Sequence, residues 1–254
     1  MSGSKPDPGR LNNLAAFSLA IKGAGERTAV HASDVDQASR NDCFLMAAMA
    51  AVTHQHPNPD AWLKELVKDN GDGTYTVTFR DGKVVKNLRP TFADGHAVSD
   101  DRGEIWPALI EKAYGKAYGD TTREEQFQLS QGGIAGVALE KLTGQPSQYL
   151  DPHHVTLESL ASYQSQGQAI TLSTHLDPTQ GLDGLQITNH HPAYQSNTYG
   201  ETLTQWHVYY VDRVDTATGT VIIHNPDSTP RKDIEIPFEE LQHVFKGVTV
   251  NPVK

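Results

Sequence analysis

Cysteine is almost missing: the 254 residues contain one, Cys43, so an internal disulfide framework is excluded. Long apolar runs are missing too. The longest, within Phe44–Val52, is alanine-rich and well short of the ~20 residues that a membrane helix needs. Basic charge is in deficit, with 21 Lys and Arg against 31 Asp and Glu and a formal charge of −10. That balance disfavours nonspecific nucleic-acid binding, which requires clustered cations on phosphates. Met1–Arg10 is polar and leads to no sustained apolar core, so no cleavable secretory signal is expected. The near-adjacent histidines His54/His56, His153/His154 and His190/His191 have neither an HExxH pattern nor a cysteine pair beside them, so zinc is not expected. What remains is a soluble acidic globule, large enough for one domain or two closely packed lobes, with no membrane or nucleic-acid partner.

Residues 1–10, rich in Ser, Gly, Pro and Lys, read as a flexible lead, and Leu11–Ile21 as a short helix or docking arm ended by Gly23-Ala24-Gly25. Asn58-Pro59-Asp60 predicts a helix through Val67, with Asn as cap and Pro in the first turn; Trp62, Leu63 and Leu66 form its core stripe. Thr74–Phe79 and Lys83–Leu88 flank Asp81-Gly82 as a β-hairpin. The preceding Asp69-Asn70-Gly71-Asp72-Gly73 lacks the terminal acidic residue of a Ca²⁺-binding EF-hand loop and reads as a turn. Helices are predicted at Glu104–Tyr118, from Gly132-Gly133 to Gly144, and at Thr156–Gln166. Strands follow at Ala169–Ser173, His207–Val214, Thr220–His224 and Asp233–Ile236, then a helix Pro237–Phe245 and a strand Val248–Val250. Asp177–Gly200 reads as a long loop. Helices early and strands late predict an α+β protein.

The stretch Gln37-Ala38-Ser39-Arg40-Asn41-Asp42-Cys43 runs from a polar turn into strong helix formers. Asn41 or Asp42 can cap that helix, which puts Cys43 in its first turn. Unpaired N–H groups and the positive end of the helix dipole favour a thiolate there. Thiolate attack on an amide also needs a base, a group to orient it and donors for the oxyanion. His207 begins a strand, and Asn225 ends the next strand of the same hairpin after Thr216-Ala217-Thr218-Gly219, so the two can be neighbours. Consecutive strand residues face opposite ways, which turns His224 away from Asn225. A lone cysteine is ordinarily a small buried hydrophobe, and a lone strand histidine a satisfied core residue.

The Gln37–Val52 segment resembles the nucleophile segment of the calpain-type cysteine proteases, of papain-like fold. Glu104-Ile105-Trp106-Pro107-Ala108-Leu109-Ile110-Glu111-Lys112-Ala113-Tyr114, Gly132-Gly133-Ile134-Ala135, His207-Val208-Tyr209-Tyr210-Val211 and His224-Asn225-Pro226 continue the resemblance in order. It implies a nucleophile at Cys43, a base at His207, its orienting amide at Asn225 and an oxyanion donor at Gln37. It also implies substrate-backbone contacts at Gly133 and at the residue before the base, here Trp206. Family members hold a Ca²⁺ ion in the helical lobe, and the matching carboxylates are Asp34 and Glu111. Three positions depart from the pattern: Phe44 and Asp227 stand where the family usually has Trp, and Trp206 where it has Gly.

The resemblance therefore implies an α+β, papain-like two-lobe protease. The N-terminal segment would be 1–25, the helical lobe with the nucleophile 26–130, and the antiparallel β-rich lobe with His and Asn 131–254. Its activity would be that of a thiol endopeptidase acting on protein or peptide substrates, needing no cofactor for the chemistry and with Ca²⁺ as a regulator. A compact core without regulatory domains suits bacterial proteins, including effectors restrained by an inhibitor or immunity partner. The location would be cytoplasmic, or outside by export without a cleaved signal. A transglutaminase-like acyltransferase and a binding module with a vestigial site are the rival classes.

Overall fold

The computed structural model describes residues 18–37, 41–89, 103–119, 133–174, 203, 206–226 and 233–253. The expectations for residues 1–17, Gly132, the Asp177–Gly200 loop and Asp227 lie outside the described residues.

Helix α1, Cys43–Gln55, is apolar on every side, and Cys43–Thr53 are all buried. A helix of this kind has no solvent face and must sit at the centre. Helix α2, Pro59–Leu66, starts where Asn58 accepts a hydrogen bond from the Ala61 N–H at 3.1 Å. It passes directly into strand β1, Val67–Asp69, which pairs with β2, Tyr75–Thr78; β2 pairs in turn with β3, Val84–Leu88. Helix periodicity gave no sign of β1, because three residues are too few to show alternation. The turn before β2 is held by its own carboxylates: Asp69 accepts from the Gly71 N–H and Asp72 from the Thr74 N–H.

Helix α3, Trp106–Tyr118, buries Trp106, Leu109, Ile110, Ala113, Tyr114 and also Glu111. Extended residues 18–21 dock on its head. Ile105 and Trp106 donate their N–H groups to the Ser18 and Leu19 carbonyls, and Ile21 donates to Glu104 Oε1 at 2.6 Å. The arm thus supplies partners for N–H groups at a helix start, which lack them within the helix. Helix α4, Ala135–Thr143, ends at the left-handed Gly144. Helix α5, Leu157–Ser165, starts from a reciprocal Thr156–Ser159 cap.

Six antiparallel strands form the main sheet. They are β4 (Gln148–Leu150), β5 (Gln168–Ser173), β6 (Val208–Asp215), β7 (Thr220–His224), β8 (Asp233–Pro237) and β9 (Gly247–Pro252), in the spatial order β4-β9-β5-β6-β7-β8. Helix α6, Phe238–Val244, lies between β8 and β9. Strand β4, like β1, is a three-residue edge that composition did not reveal.

Side-chain alternation makes this sheet a partition. Ala169, Val208 and Tyr210 join the apolar cluster around α1, with Trp62, Phe79 and Trp106. Their strand neighbours Ile170, Leu172, Tyr209 and Val211 join a second cluster with Leu160, Leu241 and Phe245. Helix α1 packs on α4 and directly on β5 and β6. The element that begins at Cys43 therefore lies against the strand that follows His207. No helix among the described residues is long and apolar enough to cross a membrane.

Candidate active site

Cys43 is the first residue of α1 and is buried, with Asp42 at the N-cap. The Asp42 carbonyl accepts from the Leu45 and Met46 N–H groups. Burial pushes the Cys43 thiol up to about 11, and the Asp42 charge adds to the rise; N–H groups of Val208, Phe44 and Cys43 itself pull the other way. Desolvation thus works against the helix-dipole expectation of a thiolate, and the dipole acts over only one turn. The Val208 contact matters for a second reason. Val208 follows His207, so the sulfur lies against the residue next in chain to the imidazole.

His207 is held at its backbone before β6 begins. Its N–H donates to Thr174 Oγ1 at 2.9 Å, and Thr174 N–H donates to its carbonyl at 3.0 Å. Its ring meets Tyr209 edge-on at 5.0 Å. The ring Nε2 lies 2.6 Å from Asn225 Oδ1. A side-chain amide oxygen can only accept, so Nε2 carries the proton and Nδ1 is left as the basic nitrogen. Asn225 follows β7, and the β6–β7 pairing brings it to the ring.

Gln37 is buried, and its backbone N–H donates to the Pro226 carbonyl at 2.8 Å, one residue beyond Asn225. Gly133 is exposed on its open side, while a Cβ there would lie 2.6–2.8 Å from the Phe44 ring. The segment entering α4 therefore touches the residue next to Cys43, and only glycine permits that approach. Trp206 is 52% exposed and has a backbone φ of 57°, a left-handed conformation that a bulky side chain seldom adopts. The structure thus joins His207 to Asn225 and sets Cys43 against Val208, the residue after His207, while Gln37 bonds Pro226 and Gly133 adjoins Phe44.

Asp34 and Glu111 are both fully buried. Asp34 Oδ2 accepts from the His31 N–H at 2.7 Å and from Trp106 Nε1 at 3.1 Å. Its Oδ1 has no hydrogen-bond partner but lies 4.0 Å from His31 Nδ1, and Glu104 is a hydrogen-bonding neighbour of the carboxyl. Burial drives the Asp34 carboxyl above the usual range, against the pull of those donors. An orphaned oxygen in such a setting fits a hard cation. Among the described residues, no three His, Cys, Asp or Glu side chains converge as a metal-binding group, so backbone carbonyls would have to complete the shell.

Sequence patterns did not reveal Thr174, which anchors His207, or the Val208 N–H at the sulfur. Neither carries a signal, since a strand-end threonine and a backbone amide look ordinary. Glu104, beside Asp34, stood in plain view at the head of α3.

Residues 25–227 match the model of the calpain family cysteine proteases. The chain belongs to that family. Over 133 residues it is 31% identical to the calpain-type cysteine protease ADL1 of Oryza sativa subsp. japonica, covering 48% of this chain and 6% of that protein. It is 32% identical over 149 residues to calpain-9 of Mus musculus, covering 54% and 19%, and 33% identical over 131 residues to calpain clp-4 of Caenorhabditis elegans, covering 46% and 17%. The chain thus spans under one fifth of the length of these relatives. The mixed α/β fold with antiparallel sheets agrees with a calpain protease core.

Proposed function

We propose that this chain is a thiol endopeptidase working through Cys43, His207 and Asn225. The observation that carries the reading is the 2.6 Å contact of His207 Nε2 with Asn225 Oδ1, which puts the ring proton on Nε2 and makes Nδ1 the basic nitrogen. Burial favours the protonated thiol, and His207 takes its proton as the sulfur attacks the peptide carbonyl carbon. The imidazolium then gives that proton to the departing amine, and an acyl-enzyme remains. A water activated by the same nitrogen hydrolyses the thioester and restores the thiol. The Cys43 backbone N–H and the Gln37 side-chain amide would stabilise the oxyanion.

In this reading the cleft runs between a helical lobe, 26–130, and a β-rich lobe, 131–254, in the papain-like manner. The Gly133 backbone and the Trp206 carbonyl would bind substrate backbone, and the exposed indole of Trp206 would line the cleft. Asp34 and Glu111 would hold Ca²⁺, which supplies the charge that offsets their mutual repulsion and braces the segment leading to Gln37.

Digestion of casein and of a peptide library by the wild type and by Cys43→Ala tests the reading. New peptide amines released only by the wild type are expected. Cross-linked products would instead assign an acyltransferase, and no product with either amine or water as acceptor would leave a binding module.

A further inference from the structure

Resting on the proposed triad, we propose that Asp212 is a positioning residue, which through His54 and His224 fixes the nucleophile helix against the strands flanked by His207 and Asn225. The pairing of β6 with β7 runs Tyr210↔His224 and Val211↔Ile223, then Arg213↔Ile222. Asp212 is the extra residue of a β-bulge, a device that re-aims a side chain and removes a residue from the ladder. Its carbonyl instead accepts from His54 Nε2 and from Gln164 Nε2, each at 2.7 Å. Gln164 also accepts from the Val214 N–H at 2.9 Å, which clasps α5 across the bulge.

The carboxylate does the rest. Asp212 Oδ1 lies 3.6 Å from His54 Nδ1 and 3.5 Å from His224 Nε2. His54 stands in the last turn of α1. His224 is the last residue of β7, immediately before Asn225. Tyr210 joins the two histidines, stacked on His224 at 5.2 Å with a 10° tilt and 5.9 Å from His54. The groups facing Asp212 are thus His54 from α1, His224 from β7, Tyr210 and Arg213 from β6 itself, and the neutral Gln164 from α5. The hydrogen bond from His224 is the main cause holding Asp212 below the usual carboxylate range, opposed by burial and helped by the charges of His54, His224 and Arg213.

An isolated surface pair of this kind contributes little. This one joins the far end of α1, the middle of β6 and the last residue of β7, three elements that begin with, follow or precede Cys43, His207 and Asn225. Cys43 and His54 are 11 residues apart on one helix, a lever of roughly 16 Å at 1.5 Å per residue. A tilt of about 4° about the His54 end moves the sulfur roughly 1 Å, enough to cost on the order of a hundredfold in rate.

Because Cys43 is the sole cysteine, the rate of carboxamidomethylation by iodoacetamide reports on it alone. Asp212→Asn should slow that reaction, and lower kcat on casein with KM unchanged, by roughly tenfold, part of the cost of full misplacement. Asp212→Glu should restore most of the rate, and adding His54→Gln to Asp212→Asn should cost nothing more. The melting-temperature gap between wild type and Asp212→Asn should close as pH falls through the depressed range of Asp212. His207→Ala separates the two readings. If it alkylates as fast as the wild type, the triad fails; if it is slow while Asp212→Asn matches the wild type, the positioning role fails. Should Asp212→Asn not fold, His54→Gln and His224→Gln each remove one arm: slowing in either supports the role, and wild-type rates in both overturn it.

Discussion

The backbone N–H of Gln37 and the carbonyl of Pro226 are joined by a 2.8 Å hydrogen bond. One partner lies six residues before Cys43 and the other directly follows Asn225. The segment of the proposed oxyanion donor and the segment of the proposed orienting amide are therefore not independent parts. Any movement of the β6–β7 hairpin pulls on the segment that carries Gln37, in addition to the coupling of Cys43 to the Val208 N–H.

Cys43→Ala should reduce casein hydrolysis at least on the order of 10⁴-fold, since no other group offers the covalent route. Alanine is at least as good a helix former, so circular dichroism and the melting temperature at neutral pH should hardly change. Hydrolysis by this variant near the wild-type rate would discard the mechanism.

His207→Ala should match Cys43→Ala in hydrolysis, because nucleophile and base act as a unit. Asn225→Ala should be milder, roughly 10²–10³ in kcat, by analogy with loss of one oriented hydrogen bond at an active site. The Thr174 contacts hold the His207 backbone but not its ring. An unchanged kcat in Asn225→Ala would mean that something other than Asn225 selects the tautomer.

The Cys43 thiol gives a pH signature. Its value rises from 9.0 to about 11 on folding because burial disfavours the thiolate. Between these values the native state binds more protons than the unfolded one, so the contribution is unfavourable as pH climbs: stability is whole below 9.0 and is lost as pH rises toward about 11. Cys43→Ala should lack this alkaline loss, which paired thermal melts from pH 8 to pH 11 would read. In His207→Ala, where no base remains, alkylation of Cys43 should climb with pH over the same window.

Much of this architecture was legible from patterns that repeat. The Asp81-Gly82 turn announced its hairpin, Asn58-Pro59 announced α2, and Thr156 with Gly167 bracketed α5. Each carries its signal within a few residues. The edge strands β1 and β4 do not: at three residues each, their state is decided by Tyr75–Val77 and Val248–Val250 across the sheet. The site was legible as residue types in order, and the hairpin already suggested that His207 and Asn225 meet. The protonation state of Cys43 was not legible. The dipole that favours thiolate is local to α1, whereas the burial that defeats it comes from packing α1 on the sheet. Asp212 was similarly hidden, since a charge between Val211 and Arg213 looks like a solvent-facing strand residue until the bulge is seen.

Gly133→Ala tests the approach of the α4 entry to the nucleophile. The added Cβ would meet the Phe44 ring at 2.6–2.8 Å, and that ring is already packed edge-on to Tyr114 at 5.9 Å. Overpacking of this kind costs about 1–3 kcal/mol, readable by urea denaturation. Phe44→Leu in the same chain should recover part of it. Stability equal to wild type in Gly133→Ala would show that the 133–134 segment yields without cost.

The last prediction concerns Asp34. Its Oδ1 is buried without a hydrogen-bond partner, its other oxygen holds the His31 N–H and the Trp106 indole, and Glu104 adds a second carboxyl nearby. Only two residues, Val35 and Asp36, separate it from Gln37. With no cation, the cost of burying the Asp34 carboxylate is relieved by taking up a proton or by loosening the segment, and the second course would displace Gln37, the proposed oxyanion donor. A shift of about 1 Å there costs on the order of a hundredfold in rate. Casein hydrolysis should therefore fall in EDTA and recover with Ca²⁺. Mg²⁺ should restore less, because it demands a tighter octahedron and gives up water reluctantly. Asp34→Ala should lose the response to Ca²⁺, and so should Glu111→Ala if that buried carboxylate is the second ligand. The wild-type melting temperature should rise with Ca²⁺ in the same titration, as it does whenever a ligand binds only the native state. Full activity in EDTA with no Ca²⁺-dependent rise in melting temperature would show instead that Asp34 serves only as the cap of the 32–34 turn and the partner of Trp106.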